Sequence, residues 1–248
     1  PVMLSWSVVR RFPIASSSRS ATAAVSCDLL AAPMTHGTNT LIMPTFAMGG
    51  MQVFMGPAKP DTIIEALERE RITSVFVPPT VIYMMMDEPG VEDRDFSALK
   101  HLIVGGAAIR KDEVPRAMKV FNNALETCFG QTEAPQIAIC MRAKDWAEPE
   151  NWASTGRATL LTRVEIMDTD GNILPTGETG EIVLKGDLVM KGYLDMPDKT
   201  AETIIDGWLH TGDVGVFEGE FLKIVDRKKD IIITSGGKNV SPQEIENK

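Results

Sequence analysis

The sequence predicts an α/β fold, in which a helix-covered, mainly parallel sheet gives way to a small antiparallel, β-barrel-like subdomain. Three observations predict it. Between about residues 60 and 129, short apolar strands alternate with amphipathic helices, the pattern of a parallel sheet whose crossovers are helical. After about Asn151 the apolar period shortens to two and hairpin signals separate the strands. The 248 residues are 44% hydrophobic and 24% charged, which suffices for a sizeable core and is too apolar for a disordered chain.

The elements follow in order. Pro60 to Arg71 sets Ile63, Ile64 and Leu67 on one face and charge on the other, with Asp61 as the cap candidate of an amphipathic helix. Thr73 to Val77 reads as a short buried strand stopped by Pro78 and Pro79, and a second helix covers Val81 to Met86. Phe96 to Lys100 leads into a strand at His101–Val104, which ends at Gly105 and Gly106. Lys111 to Asn122 reads as a helix and Leu125 to Phe129 as a strand. Farther on, Val164–Met167 and Ile173–Leu174 flank the turn pair Asp170-Gly171. Gly180–Lys185 alternates with period two, Phe217–Phe221 marks a tight turn, and Pro242–Glu246 reads as the first turn of a helix. These changes place domain boundaries at residues 1–150, 151–226 and 227–248.

The formal net charge of −9, without a concentrated basic stripe, argues against nucleic acid as the main partner. It leaves phosphate ligands open, because their sites use local amides, lysines and metal rather than net charge. Cys27, Cys128 and Cys140 form no CxxC pair and lie among apolar neighbours, which reads as core packing in a reducing compartment. His36, His101 and His210 are too scattered for a zinc site. No run of 18 apolar residues predicts a membrane span. The first 26 residues carry Arg10, Arg11, Arg19 and many serines but no acid, a composition shared with organellar transit peptides.

Four constellations carry chemistry. In Phe129–Pro135 (FGQTEAP), Gly130 lets the backbone turn after a strand, while Thr132 and Glu133 offer hard oxygens suited to phosphate and magnesium. Alone it is equally a helix start, with Thr132 as cap and Glu133 in the first turn. In Trp208–Gly215 (WLHTGDVG), Asp213 is a carboxylate at a glycine-flanked turn, able to accept both hydroxyls of a ribose, or it belongs to a plain polar turn. In Asp226–Glu246, Arg227 can donate a fork of hydrogen bonds ahead of an apolar strand, Ile231–Ile233, and the glycine pair Gly236-Gly237. The alternative there is a solvated strand edge followed by an ordinary hairpin. In Val104–Ile109 (VGGAAI), a strand ending in two glycines admits a flat ring near the backbone, or makes a tight strand–helix turn.

Taken in order, these motifs resemble the adenylate-forming superfamily, specifically the acyl-CoA synthetases, from about Leu29 to Glu246. Pro33–Asn39 (PMTHGTN), Val77–Thr80 (VPPT) and Gly180–Thr200 (GEIVLKGDLVMKGYLDMPDKT) add to the match. The resemblance implies activation of a carboxylic acid on ATP, with pyrophosphate released, and transfer of the acyl group to CoA. It also implies ATP/AMP and Mg2+ as cofactors, a fatty or aromatic acid as substrate, a cytoplasmic location, and compatibility with a homodimer.

Its residue roles carry over position by position. Gly106 and Phe129 are expected to flank adenine, with Gly105, Ala107, Gly130, Gln131 and Ile224 completing the nucleotide set. Thr132 would hold phosphate and Glu133 the magnesium, and Asp213 would take the ribose with Arg227 helping. His36 would lie by the acyl group, Lys229 at a hinge, and Gly236 and Gly237 along the thiol approach. Residues 227–248 would open a small C-terminal α+β domain.

Two departures qualify these expectations. The family's Ser/Thr/Gly-rich phosphate loop has no counterpart, and Pro1–Ser5 resembles the residues that follow it, which explains the opening better than a transit peptide does. The lysine that the family keeps near its C-terminus also has no counterpart. The expectation is therefore a central fragment with impaired turnover; the alternatives are an adenylating domain that loads a carrier protein and an inactive nucleotide-binding fragment.

Overall fold

The computed structural model describes residues 26–32, 37–56 and 58–228, together with the backbone of residues 232–233 and 239–240. The chain falls into two compact units, residues 1–126 and 127–248.

The first unit contains β1 (Cys27–Leu30), α1 (Asn39–Ala47), β2 (Met51–Phe54), α2 (Pro60–Arg69), β3 (Ser74–Val77), α3 (Pro79–Met86), β4 (His101–Val104) and α4 (Val114–Val120). The four strands are parallel, in the order β2-β1-β3-β4. Parallel strands need their crossovers on the sheet faces and so are buried. Leu29, Val75, Leu102 and Val104 accordingly have no exposed surface. The chain leaves β1 toward β2 on one side and leaves β3 toward β4 on the other. The switch point of the topology thus lies between β1 and β3, and open parallel sheets generally place ligands beyond the strand carboxyl ends at such a point.

The helices begin where their prolines dictate. The α2 helix buries Ile63, Ile64, Ala66 and Leu67, as its pattern predicts. Asp61 is not its cap: the helix starts one residue earlier at Pro60, and Asp61 lies in the first turn, accepting the Thr62 N–H at 2.8 Å. Similarly α3 starts at Pro79 rather than Val81, and α4 has Pro115 at its start and is shorter than the sequence pattern implies. A proline at the first helical position loses no hydrogen bond and has its φ preset.

Strand β5 (Leu125–Gln131) begins at the end of the first unit, and the second continues it antiparallel through β6 (Ala134–Met141) and β7 (Arg157–Ala158). The Phe129–Pro135 motif is therefore a hairpin with Thr132 and Glu133 at its tip. Its reading as a helix start is overturned, because the chain reverses and pairs Gln131 with Ala134.

Next come β8 (Arg163–Met167), β9 (Thr179–Lys185), α5 (Pro197–Thr203), β10 (Ile204–Ile205), β11 (Trp208–Glu218) and β12 (Phe221–Arg227). They form a curled antiparallel sheet, β10-β11-β9-β8 with β12 on β11. Ala138, Ile139, Ile166, Ile182, Leu184, Leu209 and Leu222 make its core. The Asp170-Gly171 turn and the Gly219 turn fall where the sequence places them, both glycines at positive φ. Past residue 228 the backbone shows one short antiparallel pair, β13 (Ile232–Ile233) with β14 (Asn239–Val240). The helical turn expected at Pro242–Glu246 lies outside the described residues.

Candidate functional site

Two groups of polar side chains meet in the second unit, each joining segments far apart in sequence. The first centres on Asp213, a carboxylate only 5% exposed. Its Oδ2 accepts the Gln131 amide at 2.8 Å, and its Oδ1 lies 3.3 Å from Arg227 Nε. Strand register explains the ion pair, since Asp213 and Arg227 are direct cross-strand partners on β11 and β12. Gln131 also donates to the Thr211 carbonyl at 3.0 Å, clamping the hairpin to the loop in β11. Burial pushes the Asp213 carboxyl above its ordinary value, and Arg227 and Gln131 offset the rise only in part.

That loop interrupts β11. Pairing with β9 runs regularly to His210↔Val183 and resumes at Val214↔Glu181. Gly212 takes a left-handed conformation, φ 73°, which glycine adopts without the steric cost of a Cβ. The Thr211 hydroxyl donates to the Ile182 carbonyl and accepts the Asp213 N–H, so the loop holds itself in shape.

The second group is organised by Glu133 and Glu181. Tyr193 donates its hydroxyl to Glu133 Oε1 at 2.7 Å, which holds the phenol above its usual range. Lys199 stands over the same ring, 4.4 Å from its centroid. Glu181 accepts the Gly212 N–H at 3.0 Å and the Lys228 ammonium at 3.2 Å, and His210 Nδ1 lies 2.9 Å away. Burial alone would raise the Glu181 carboxyl, but these partners outweigh it and hold it below the usual carboxylate value. Gln131, Glu133, Glu181, Tyr193, His210 and Lys228 all face one cavity of about 970 Å³.

The other expected positions divide as follows. Phe129 and Ile224 are half-buried and pack against the apolar core of the curled sheet. Gly130 is exposed at the bulge between Phe129 and Gln131, and Thr132 is exposed at the hairpin tip. Gly105, Gly106 and Ala107 belong to the first unit, just past the carboxyl end of β4; Gly105 is buried and Gly106 has φ 87°. His36, Lys229, Gly236 and Gly237 lie outside the described residues.

Sequence reasoning missed Tyr193, Glu181, His210 and Lys228. The signal for His210 and Lys228 was adjacency to Asp213 and Arg227 along strands whose register brings them together. Tyr193 and Glu181 lie within the Gly180–Thr200 segment of the resemblance, but nothing local singles out Tyr193, whose partner is sixty positions away.

Comparison with known proteins decides the family, for the sequence pattern described as AMP-binding enzyme matches residues 7–194. The chain belongs to that family. Among curated relatives of this AMP-binding family member, the medium/long-chain-fatty-acid–CoA ligase FadD8 of Mycobacterium tuberculosis is 36% identical over 219 residues, covering 88% of this chain and 38% of its own. Feruloyl-CoA synthase of an Amycolatopsis species is 37% identical over 223 residues, covering 88% of this chain and 44% of its own. Among solved structures, the amide bond synthetase McbA of Marinactinospora thermotolerans superposes with a TM-score of 0.85 at 33% identity, covering 90% of this chain and 46% of that one. The chain thus spans less than half the length of these relatives.

Proposed function

We propose that this chain carries the nucleotide-handling surface of an ATP-dependent acid–thiol ligase. In the reaction, a carboxylate oxygen attacks the α-phosphorus of ATP, pyrophosphate leaves, and the thiol of CoA then displaces AMP from the acyl group. The observation that carries the reading is the buried Asp213 carboxylate, fixed by Gln131 and Arg227 at a glycine-containing loop. Each carboxylate oxygen accepts more than one hydrogen bond, so Asp213 can take a ribose diol while keeping both protein partners. The relatives named as CoA ligases support the same reaction class.

Within this reading Glu133 and Thr132, at the hairpin tip, face the phosphates, and Phe129 borders the base. Gly130 and Ile224 complete the nucleotide set, Lys229 serves as the hinge, Gly236 and Gly237 serve the thiol approach, and His36 is assigned to the acyl group. Residues 151–226 form the β-rich subdomain.

The donor set fits magnesium as a guest held mainly by substrate. Among the described residues no three His, Cys, Asp or Glu side chains converge on one point. Mg2+ is commonly bound through one or two carboxylates plus phosphate oxygens rather than an all-protein cage. Glu133 is the carboxylate this chain offers, oriented by Tyr193. When bound, the ion neutralises charge that develops on the transferring phosphoryl group. Preset donors around the nucleotide do the rest by positioning.

The test is ATP–pyrophosphate exchange on this chain with a panel of fatty and aryl carboxylates, alongside direct titration of ATP. Acid-dependent exchange that disappears in Asp213→Ala supports the reading and identifies the acid class. Binding of ATP without exchange supports a nucleotide-binding fragment. Neither binding nor exchange would sink both. An amine acceptor in place of the thiol is the second reading, favoured by the similarity to an amide bond synthetase; supplying CoA or an amine after exchange separates the two.

A further inference from the structure

The two cysteines of the β5–β6 hairpin face each other across the ladder. Cys128 and Cys140 are direct partners, flanked by the regular pairs Thr127↔Met141 and Phe129↔Ile139. Direct partners in an antiparallel pair have Cα atoms about 4.5–5.5 Å apart with side chains on the same face. That separation lies inside the roughly 4.4–6.8 Å range spanned by disulfides. Both residues are partly exposed and in the thiol form, so a small oxidant can reach them.

The position of the second cysteine is fixed from its other side. Cys140 pairs with Arg157 on β7, and Gly156 runs so close that a Cβ there would collide with the Cys140 carbonyl group. Strand β6 is thus paired on both sides, and the 128–140 juxtaposition is a property of the folded sheet. The third cysteine makes a contrast. Cys27 is buried on β1, and burial with the neighbouring Asp28 and Glu70 charges pushes its thiol up to about 11, leaving it protonated and inert.

We propose that Cys128 and Cys140 are a redox modification site that closes reversibly into a cross-strand disulfide when the chain meets a hydroperoxide. The step balances. One thiol takes an oxygen from the peroxide to become a sulfenic acid, and water or an alcohol leaves. The second thiol attacks that sulfur, the S–S bond forms, and a further water leaves. The hydroperoxide gains two electrons and the two thiols lose them. A dithiol reductant reverses the bond by exchange. Exposed disulfides are among the more readily reduced. The bond would tie the base of the hairpin whose tip carries Gln131, Thr132 and Glu133.

The experiment is graded hydrogen peroxide on the folded chain, followed by blocking with iodoacetamide, digestion and mass spectrometry. The expected product is a single linked peptide pair joining Cys128 to Cys140, two hydrogens lighter than its separate parts. Alkylation should be lost at both sites together and restored by dithiothreitol, and Cys27 should become alkylatable only after denaturation. The pair should form equally in Cys27→Ser and be absent in Cys128→Ser. Retention of alkylatable thiols at both positions after oxidation would overturn the proposal. So would linkage through Cys27 or between chains, or irreversible oxidation at either site.

Discussion

At the scale of single residues the most consequential group is Asp28, which lies in β1 with no exposed surface. Among the described residues neither carboxylate oxygen has a hydrogen-bond partner of ordinary geometry. Burial raises its pKa from 3.8 to about 7, and the Ser74 hydroxyl across the ladder offsets part of the rise. Between those two pH values the folded chain keeps a proton that the unfolded chain has lost. Stability therefore falls as pH rises through that window and is flat above it. Asp28→Asn should abolish this slope and be the more stable protein at pH 8, by at most about 4 kcal/mol. Urea unfolding of both proteins at pH 5 and pH 8 measures it, and an unchanged slope in the variant would contradict the assignment. Glu181 has the opposite sign. Its carboxyl is held below 4.5, so its contribution is present above that pH and is lost as pH falls through the lower folded value. Glu181→Gln should cost about 1–2 kcal/mol at pH 7 by removing the charge that its Gly212, His210 and Lys228 partners meet, and this deficit should shrink in acid.

At the scale of elements, glycines of two kinds make separable predictions. Gly212 sits at positive φ with open space around its Cα, whereas Gly156 combines positive φ with backbone contact against Cys140. Gly212→Ala should cost about 1–2 kcal/mol, the price of a left-handed alanine, and leave the spectrum of the folded chain unchanged. Gly156→Ala should prevent β7 from pairing and abolish the cooperative thermal transition seen by circular dichroism. Equal melting temperatures for the two variants would refute the distinction.

The elements also show what was legible in the sequence. The apolar face of α2, the stop at Pro78 and the turn at Asp170-Gly171 could be read because periodicity and turn chemistry are local. The hairpin at Thr132-Glu133 could not, because a threonine followed by a glutamate fits a helix start as well as a turn, and pairing with β6 decides between them. Within the site, Asp213 and Arg227 stood out as charges beside glycines and strands. The Glu133–Tyr193 and Glu181–Lys228 contacts depend on which strands become neighbours, which no local pattern records.

At the scale of the whole molecule, acidity is the governing property. A net charge of −9 at pH 7 and a pI near 4.9 predict lowest solubility around pH 5 and no retention on DNA at physiological salt. Turbidity against pH checks the first and DNA-cellulose chromatography the second; retention on DNA would reveal a basic surface that the composition does not suggest. Among the described residues no helix is long and apolar enough to cross a membrane.

The interruption in β11 has one more consequence. Four steps along β11, from His210 to Val214, answer two along β9, from Val183 to Glu181. The excess is even, so side chains beyond the loop point to the same faces as they would in an unbroken strand. Removing one residue from Thr211–Asp213 would reverse that parity for the rest of β11 and turn its inward positions outward. The loop therefore tolerates changes of residue far better than changes of length by an odd number, and its size is itself part of the information that folds the sheet.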